Sequence, residues 1–442
     1  MNTSSTKHSA KSISFSNCKG RKVSANFKGG HISSNGGVLL LKQIDDFLGL
    51  TKKLATIIPD YRDPRYCSHK LITMLRQRIY SLALGYEDLN DHQELRQDFA
   101  LQTAVNSVDT LASSSTLCRL ENTANRQMAL DIHKLLFRLF VKSHRQPPKR
   151  LILDFDPTDD LVHGHQVFSH YHGYYKAYCF LPLYVFCGSH LLVAYLRPSN
   201  IDGAKHSWAI LSLLVKALRN VWPKVEIVFR GDSGFARHHM FDWCEKHNVG
   251  YITGLPSNAR LQRIIKPLRD RVISDYELNP IKQRHFLNFQ YSAKSWSHKR
   301  SVVAKVEHTA LGPNTRFIVS NLPSDDPQSL YDDLYCARGD MENRIKEQQL
   351  DLFADRTSCH QWYPNQLRLL LSGLAYVLLD SLRRFTPSLH KIAKFSCGSL
   401  RLKFLRIGAL IIRNTRSIKF LLSSSYPYQS LFQSLYCCLS PG

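Results

Sequence analysis

Apolar residues recur at helical spacing through the first third of the chain and give way near residue 150 to short β-type runs. Up to about Lys28 the sequence is rich in Ser and Lys. Gly29, Gly30, Gly36 and Gly37 then punctuate a turn before the periodic run Val38 to Leu50, which predicts a helix. Helices are also predicted over Lys70 to Leu84, Leu89 to Asp98, Thr116 to Glu121 and Arg126 to Phe140. The polar stretch Ser143 to Arg150, with Pro147 and Pro148, stops the pattern and marks a domain boundary.

Beyond it, Leu151 to Phe155, Cys179 to Cys187 and Leu191 to Leu196 are rich in β-branched and aromatic residues and predict consecutive strands. Trp208 to Val221 reads as a helix, Val225 to Phe229 as a strand, Ala236 to His247 as a helix and Val249 to Thr253 as a strand. The order βββαβαβ suits a mixed sheet covered by helices, the pattern of an RNase H-like core and of other α/β folds. From Pro256 to Lys305 eleven Lys or Arg stand against three Asp or Glu. Strand-like runs at Phe286 to Tyr291, Ser301 to Val306 and Arg316 to Asn321 make this region a basic, β-rich insertion. Helices follow from about Leu330 to Phe353 and Pro364 to Arg384, with the stripe expected of helices that cover a sheet. The expected fold is therefore a multidomain α+β protein. A helical region spans residues 1–148, the mixed core comes in two parts, 149–255 and 329–385, around an insertion at 256–328, and a basic extension covers 386–442.

Length and charge narrow the class. At 442 residues several cores are expected, and 59 Lys and Arg against 35 Asp and Glu leave a net charge of +24. Such a field attracts a polyanion, which makes nucleic acid the expected partner. The tail from Ser381 onward sharpens this, with ten Lys or Arg and no acid. The first fourteen residues lack the apolar run of a secretory signal, and the most apolar stretch, Leu369 to Leu379, is too short for a membrane span of about 20 residues. Eleven cysteines without a CxxC pair predict reduced core thiols rather than disulfides or a zinc site.

Carboxylates supply the candidate chemistry. Asp154 and Asp156 project on one side of the first predicted strand near its carboxyl end. Asp232 follows the strand Val225 to Phe229, at the sheet end where open α/β sheets gather their sites, and Glu342 lies in the helix after the insertion. Oxygen donors on separate elements suit Mg²⁺ or Mn²⁺, and two such ions about 3.5–4 Å apart serve in-line displacement at phosphorus. On that helix Tyr335 and Arg338 lie seven and four residues before Glu342, so the three share a face. Trp296, beside Lys299 and Arg300, is a candidate for stacking on an unpaired base, with packing in the insertion as the plain alternative. His163, His165, His170 and His172 lack the partners of a zinc site, and Glu87, Asp88 and Asp91 read as capping and pairing residues.

The segment Tyr335-Cys-Ala-Arg338-Gly-Asp-Met-Glu342 matches the Y-x2-R-x3-E signature of DDE transposases from bacterial insertion sequences. Further segments resemble the insertion-sequence family thirteen-eighty: Gly36-Gly-Val-Leu-Leu-Leu, Gly85-Tyr-Glu-Asp-Leu-Asn-Asp91, Ser115-Thr-Leu-Cys-Arg-Leu-Glu-Asn122, Asp154-Phe-Asp-Pro-Thr158, Gly164-His-Gln166, Leu196-Arg-Pro-Ser-Asn200, Asp232-Ser-Gly-Phe-Ala236 and Met341-Glu-Asn-Arg-Ile-Lys-Glu347. The resemblance implies an RNase H-like core in which Asp156, Asp232 and Glu342 hold two Mg²⁺ (or Mn²⁺) ions. Asp156-Pro-Thr158 supplies the first acid of the family's D-x-T context, with Asp154 an alternative ligand. It also implies that Tyr335 and Arg338 hold DNA beside the metals. The signature's lysine, seven positions after the glutamate, is here Gln349, and Lys346 stands one turn earlier as its substitute.

The expected function is thus a transposase that binds terminal inverted repeats through its helical amino-terminal region and catalyses metal-dependent cleavage and strand transfer. Its expected partners are double-stranded DNA, both ends and target, and a second copy in a synaptic homodimer. Its expected place is the cytoplasm, at the nucleoid. The alternatives are a transposase-derived DNA-binding protein impaired in catalysis, for which Gln349 speaks, and an RNase H-like nuclease.

Overall fold

Strands form where the apolar period changes. β1 (Arg150–Pro157) is followed by β2 (Leu183–Cys187) and β3 (His190–Tyr195), then β4 (Glu226–Gly231), β5 (Gly250–Leu255), β6 (Gln283–Tyr291), β7 (Arg300–Thr309) and β8 (Gly312–Ser320). This is a computed structural model, and it describes residues 12–386 and 391–439; the polar leader up to residue 11, residues 387–390 of the basic tail and residues 440–442 lie outside it. The strands make one eight-stranded sheet in the order β6-β7-β8-β5-β4-β1-β2-β3. β1, β4 and β5 run parallel, while the other pairings are antiparallel.

Alternation along β1 sorts its side chains between two cores. Leu151, Leu153 and Phe155 pack on one face beneath α1 (Arg126–Ser143), α2 (Ser207–Val221), α3 (His238–Lys246) and α4 (Ala259–Leu278). Ile152 joins Val228, Ile252, Val303 and Ile318 on the other face, where Leu330, Tyr331 and Tyr335 cover them. Asp154 and Asp156 belong to this second face. α6 (Trp362–Phe385) shares it, with Tyr376 meeting Phe186 edge-on at 5.8 Å and donating to the Ser189 carbonyl at 2.7 Å.

The described chain divides into two compact units. The sheet unit comprises Lys53–Pro59 and Cys118–Asp380; the other takes in residues up to Lys52, Asp60–Leu117 and the chain from Ser381. α1 thus groups with the sheet rather than with the helices before it, and the basic tail groups with the amino-terminal helices. In that second unit Ala409–Arg413 pairs with both Ile418–Leu422 and Ile32–Ser33. The Gly36-Gly37 turn lies against the tail so closely that a Cβ on Gly37 would stand 1.8 Å from the Phe404 carbonyl oxygen. Its interior holds Arg76 and Tyr80 on Asp45, with Thr51 donating its backbone N–H to the same carboxylate at 2.8 Å.

The structure differs from the sequence reading in the insertion. Residues 256–328 begin with a helix, α4, whose Leu261, Ile265 and Val272 are buried, and its strands β6 to β8 extend the central sheet through the β5–β8 pairing. Arg260, Arg263, Lys266, Arg269 and Arg271 lie on α4 away from its buried stripe and dilute its apolar period. Three smaller sheets were also not expected: the tail pairing of Ala409–Arg413 with Ile418–Leu422 and Ile32–Ser33, the hairpin Ile13–Cys18 with Arg21–Ala25, and a flap in which Asp160–Leu161 and His170–His172 pair with Ala177–Phe180. The last residues, too irregular for a sequence assignment, form a helix at Gln429–Leu439 that buries Leu431, Leu435 and Leu439. Among the described residues no helix is long and apolar enough to cross a membrane.

Candidate active site

Asp156 and Asp232 reach the same end of adjacent strands. The β1–β4 register aligns Phe155 with Gly231, which puts the next residue of each strand side by side where the parallel pairing ends. Asp232 opens a short helical turn and accepts from the Gly234 N–H at 2.8 Å, an arrangement that fixes one carboxylate oxygen and leaves the other toward the site. Asp156 is largely buried.

The third acid arrives on a helix of changing pitch. Pro327–Ser329 starts it, Leu330–Tyr335 widens to π geometry, Cys336–Arg338 tightens to 3₁₀ geometry, and α5 (Gly339–Lys346) carries Glu342 before a second π turn at Glu347–Asp351. Such bulges re-aim side chains and cluster at functional sites. Here Arg338 bridges the acids, 3.3 Å from Asp156 Oδ2 and 2.5 Å from Glu342 Oε1. Tyr335 stacks obliquely on Tyr331, and its hydroxyl comes so close to β5 that a Cβ on Gly254 would stand 2.7 Å from it. That close approach requires glycine at position 254. A cavity of about 360 Å³ opens beside this group, lined by Ser233, Arg316, Phe317, Tyr331, Tyr335 and Arg338.

The charges do not balance. Burial pushes the Asp156 carboxyl up to about 7, Asp232, Glu342 and Asp154 push the same way, and Arg338 opposes them. Burial works against the Arg338 charge, but Asp156 and Glu342 outweigh it and hold its guanidinium above the usual arginine range. Asp156, Asp232 and Glu342 offer the hard oxygens a divalent cation takes, but among the described residues the group whose ligand atoms already lie within 4.8 Å of one another is Asp242, Glu245 and His298. Asp154 is differently placed, because it receives both Arg230 Nε and, at 2.8 Å, Arg230 Nη2, while Arg230 also donates to the Leu334 carbonyl. Its two oxygens are engaged in a buried, two-pronged pair, whereas among the described residues Asp156 has no such partner on an adjacent strand. Arg230 itself escaped the sequence reading, although its place two residues before Asp232, on the same face of β4, was a usable signal.

The remaining sequence-derived residues scatter. Lys346 is exposed on α5 one turn beyond Glu342. Gln349 donates to the Asp159 carbonyl at 2.7 Å and to Thr158 Oγ1 at 3.2 Å, so it braces the chain just past Asp156. Lys299 is exposed. Arg300 is not available to DNA as expected: its side chain is 2% exposed and is held by Glu245 at 2.7 Å and Asp242 at 2.6 Å. Trp296 meets Phe241 and Tyr291 edge-on at 5.7 and 5.5 Å, with the Arg300 guanidinium 5.3 Å from its ring, an environment of packing rather than of an open stacking surface. Asp242, Glu245 and His298 could together offer ligand atoms to a metal, but Arg300 already neutralises the two acids.

The family model of the transposase DDE domain, group 1, matches residues 15–441. Among solved structures, the chain is similar to the cryo-EM structure of the piggyBac transposase synaptic complex with hairpin DNA, at 12% identity and a TM-score of 0.42, over 92% of this chain and 86% of that one. Comparison with curated proteins gives no significant match.

Proposed function

The chain belongs to the transposase DDE domain family, group 1, and from that premise we propose that it is the transposase of a bacterial insertion sequence of the thirteen-eighty type, which binds terminal inverted repeats, cuts the DNA at their ends and joins the freed 3′-hydroxyls to a target. The observation that carries this reading is that Asp156, at a strand end, and Glu342, on a helix, share the Arg338 guanidinium, with Asp232 on the adjacent strand end near enough to raise Asp156. The sheet order supports an RNase H-like core, since an antiparallel β1-β2-β3 meander is followed by β4 and β5 parallel to β1. In this reading residues 149–255 and 329–385 are the catalytic core, 256–328 its insertion, 1–148 the end-binding region and 386–442 a basic extension.

Asp156, Asp232 and Glu342 would hold one or two Mg²⁺ or Mn²⁺ ions, which when bound supply charge neutralisation at the reacting phosphate. Before a cation enters, burial favours the protonated form of Asp156 up to about pH 7, and Arg338 spans Asp156 and Glu342. With a cation in place Arg338 is free to turn its fork toward a phosphate, and Tyr335 can add one hydrogen bond. Arg316, on the far wall of the adjoining cavity, offers the next phosphate a second guanidinium. Lys346 lies one turn along the same helix and serves the neighbouring backbone. The net charge of +24 supplies the sequence-independent affinity for DNA, and a second copy is expected in the synaptic complex, at the nucleoid.

Incubating the protein in Mg²⁺ with DNA that carries the sequences flanking its gene, read on a denaturing gel, tests this. Cuts at the outer boundary of a matched pair of inverted repeats are the expected result. Cuts that ignore the repeats identify a structure-selective nuclease, and binding without cuts identifies a DNA-binding derivative.

A further inference from the structure

The flap between β1 and β2 is anchored at its root and aromatic at its surface. Asp160 holds the root, accepting from Thr357 Oγ1 at 3.0 Å, and Val167 N–H donates to the His360 carbonyl at 3.0 Å. Gln349 fixes the chain just before it, at Thr158 and Asp159. On the outer face Tyr171 and Tyr178 are cross-strand partners whose rings meet edge-on at 5.7 Å. At the tip Tyr174 is 84% exposed and lies 5.0 Å from Tyr175. Large exposed aromatics gathered on one small sheet are unusual unless something covers them.

Place and charge say what covers them. The Tyr175 hydroxyl is half-buried and is pushed up to about 12 by burial and then by Asp159 and Asp156, so the tip of the flap lies within the field of the candidate metal ligand. From Leu161 to Ile201 there is no Asp or Glu, while Lys176 and four histidines, His163, His165, His170 and His172, line the flap. A surface of tyrosine rings without acids, beside a phosphoryl-transfer centre, matches the way proteins hold unpaired nucleotides, with bases on aromatic faces and the backbone on cations. Trp296, the residue the sequence favoured for this task, has the Arg300 guanidinium over its ring, with Phe241 and Tyr291 packed edge-to-face against it.

We propose that the flap at residues 160–180 is a stacking platform for unpaired bases of the DNA strand next to the scissile phosphate, with Tyr174 at its tip and the Tyr171–Tyr178 pair behind it. The proposal rests on the transposase reading above. It assigns the histidines and Lys176 to the phosphates of that strand, and it gives Gln349 a purpose, as the brace that keeps the platform in register with Asp156.

Fluorescence anisotropy on the full-length protein tests it with two probes of the same flanking sequence, a fully paired 40-base-pair duplex and one with three unpaired adenines at the element boundary. The wild type should bind the unpaired probe about tenfold tighter or more, as expected for stacking of one or two bases. Tyr174→Ala combined with Tyr171→Ala should reduce that preference to about twofold or less, and Tyr174→Phe with Tyr171→Phe, which keeps the rings, should retain it. A 2-aminopurine in place of one unpaired adenine should change its emission on binding the wild type and the phenylalanine variant and not the alanine variant. If the alanine variant keeps the full preference, or the wild type shows none while binding duplex, the platform is overturned and the transposase reading stands. If the wild type binds neither probe, the transposase reading fails and the platform with it.

Discussion

Arg300 and Arg338 each stand between two carboxylates in the sheet unit, and the clusters around them differ in what closes them. Around Arg300, Glu245 and Asp242 are the acids bonded, Tyr251 and Ser297 donate to them at 2.8 Å each, and aromatic rings of Phe241 and Trp296 pack over the guanidinium. Around Arg338 there is a third acid, Asp232, no aromatic lid over the cation, and a cavity open beside it. In the first cluster burial raises the acids, but hydrogen bonds and charge from Arg300 win, and both Asp242 and Glu245 end below their ordinary values. In the second, burial and repulsion win and Asp156 ends near 7. A closed ion-pair cluster satisfies its own charges and is costly to break, whereas an acid left in excess in a partly open site is a functional-site candidate.

The largest expected effect comes from breaking the open cluster. Asp232→Asn or Glu342→Gln removes one oxygen donor where metal charge stabilisation is worth several kcal/mol, so Mg²⁺-dependent cleavage should fall by about three decades or more. End binding in a gel shift should change little, because phosphate contacts elsewhere carry it. Asp242→Asn should leave cleavage within a few-fold of wild type. Full cleavage by either of the first two variants overturns the ligand assignment.

The two clusters should also titrate in opposite directions. Asp156 has a folded value above its unfolded one, so without metal its contribution is fully present below about pH 4 and is lost as pH rises toward 7, of order 2–4 kcal/mol. Glu245 has a folded value below its unfolded one, so its contribution is present above the unfolded value and is lost as pH falls. Urea melts in EDTA at pH 4, pH 5 and pH 8 should show Asp156→Asn gaining on the wild type between pH 5 and pH 8, and Glu245→Gln costing more at pH 8 than at pH 4. An Asp156→Asn curve parallel to the wild type would mean that Asp156 is not held protonated.

Removing each arginine sharpens the contrast. Arg300→Met strands two acids behind a buried gap and should destabilise the sheet unit by about 2–4 kcal/mol, independent of Mg²⁺. Arg338→Met should cost about 1–3 kcal/mol in EDTA and recover most of it when Mg²⁺ is added, since a cation takes over the charge. Thermal melts with and without Mg²⁺ read the difference, and equal behaviour of the two variants would erase the distinction.

Much of this was legible in the residues. β1, β2, β3, β4 and β5 carry short apolar, β-branched and aromatic runs, and Asp156 and Asp232 stand at strand ends as the runs imply, with Glu342 on the helix the pattern placed it in. What stayed hidden depends on tertiary neighbours. Asp154 and Asp156 are equivalent on one strand until Arg230, on the adjacent strand, claims the former. The α4 stripe of Leu261, Ile265 and Val272 is diluted by charge and interrupted by Pro267, so composition outweighed period. The flap strands are too short to show alternation, and the joining of the tail to Ile32–Ser33 is a long-range pairing that no local pattern encodes.

The smallest effect concerns Trp296, which belongs to the closed cluster in spite of its basic neighbours. Its ring is partly buried and forms one wall of the Arg300 site, against Phe241 and Tyr291. Trp296→Ala should therefore lower stability by about 1–3 kcal/mol, less than a fully buried aromatic, because part of the ring already meets water. Trp296→Phe should restore most of that loss, since an aromatic ring still covers the guanidinium. Neither change should alter the ratio of nicked to fully cut DNA in a Mg²⁺ time course run well below the melting point. Accumulation of nicked DNA by a folded Trp296→Ala protein would move the ring out of the structural cluster and into the one that handles DNA, which would blur the separation between Arg300 and Arg338.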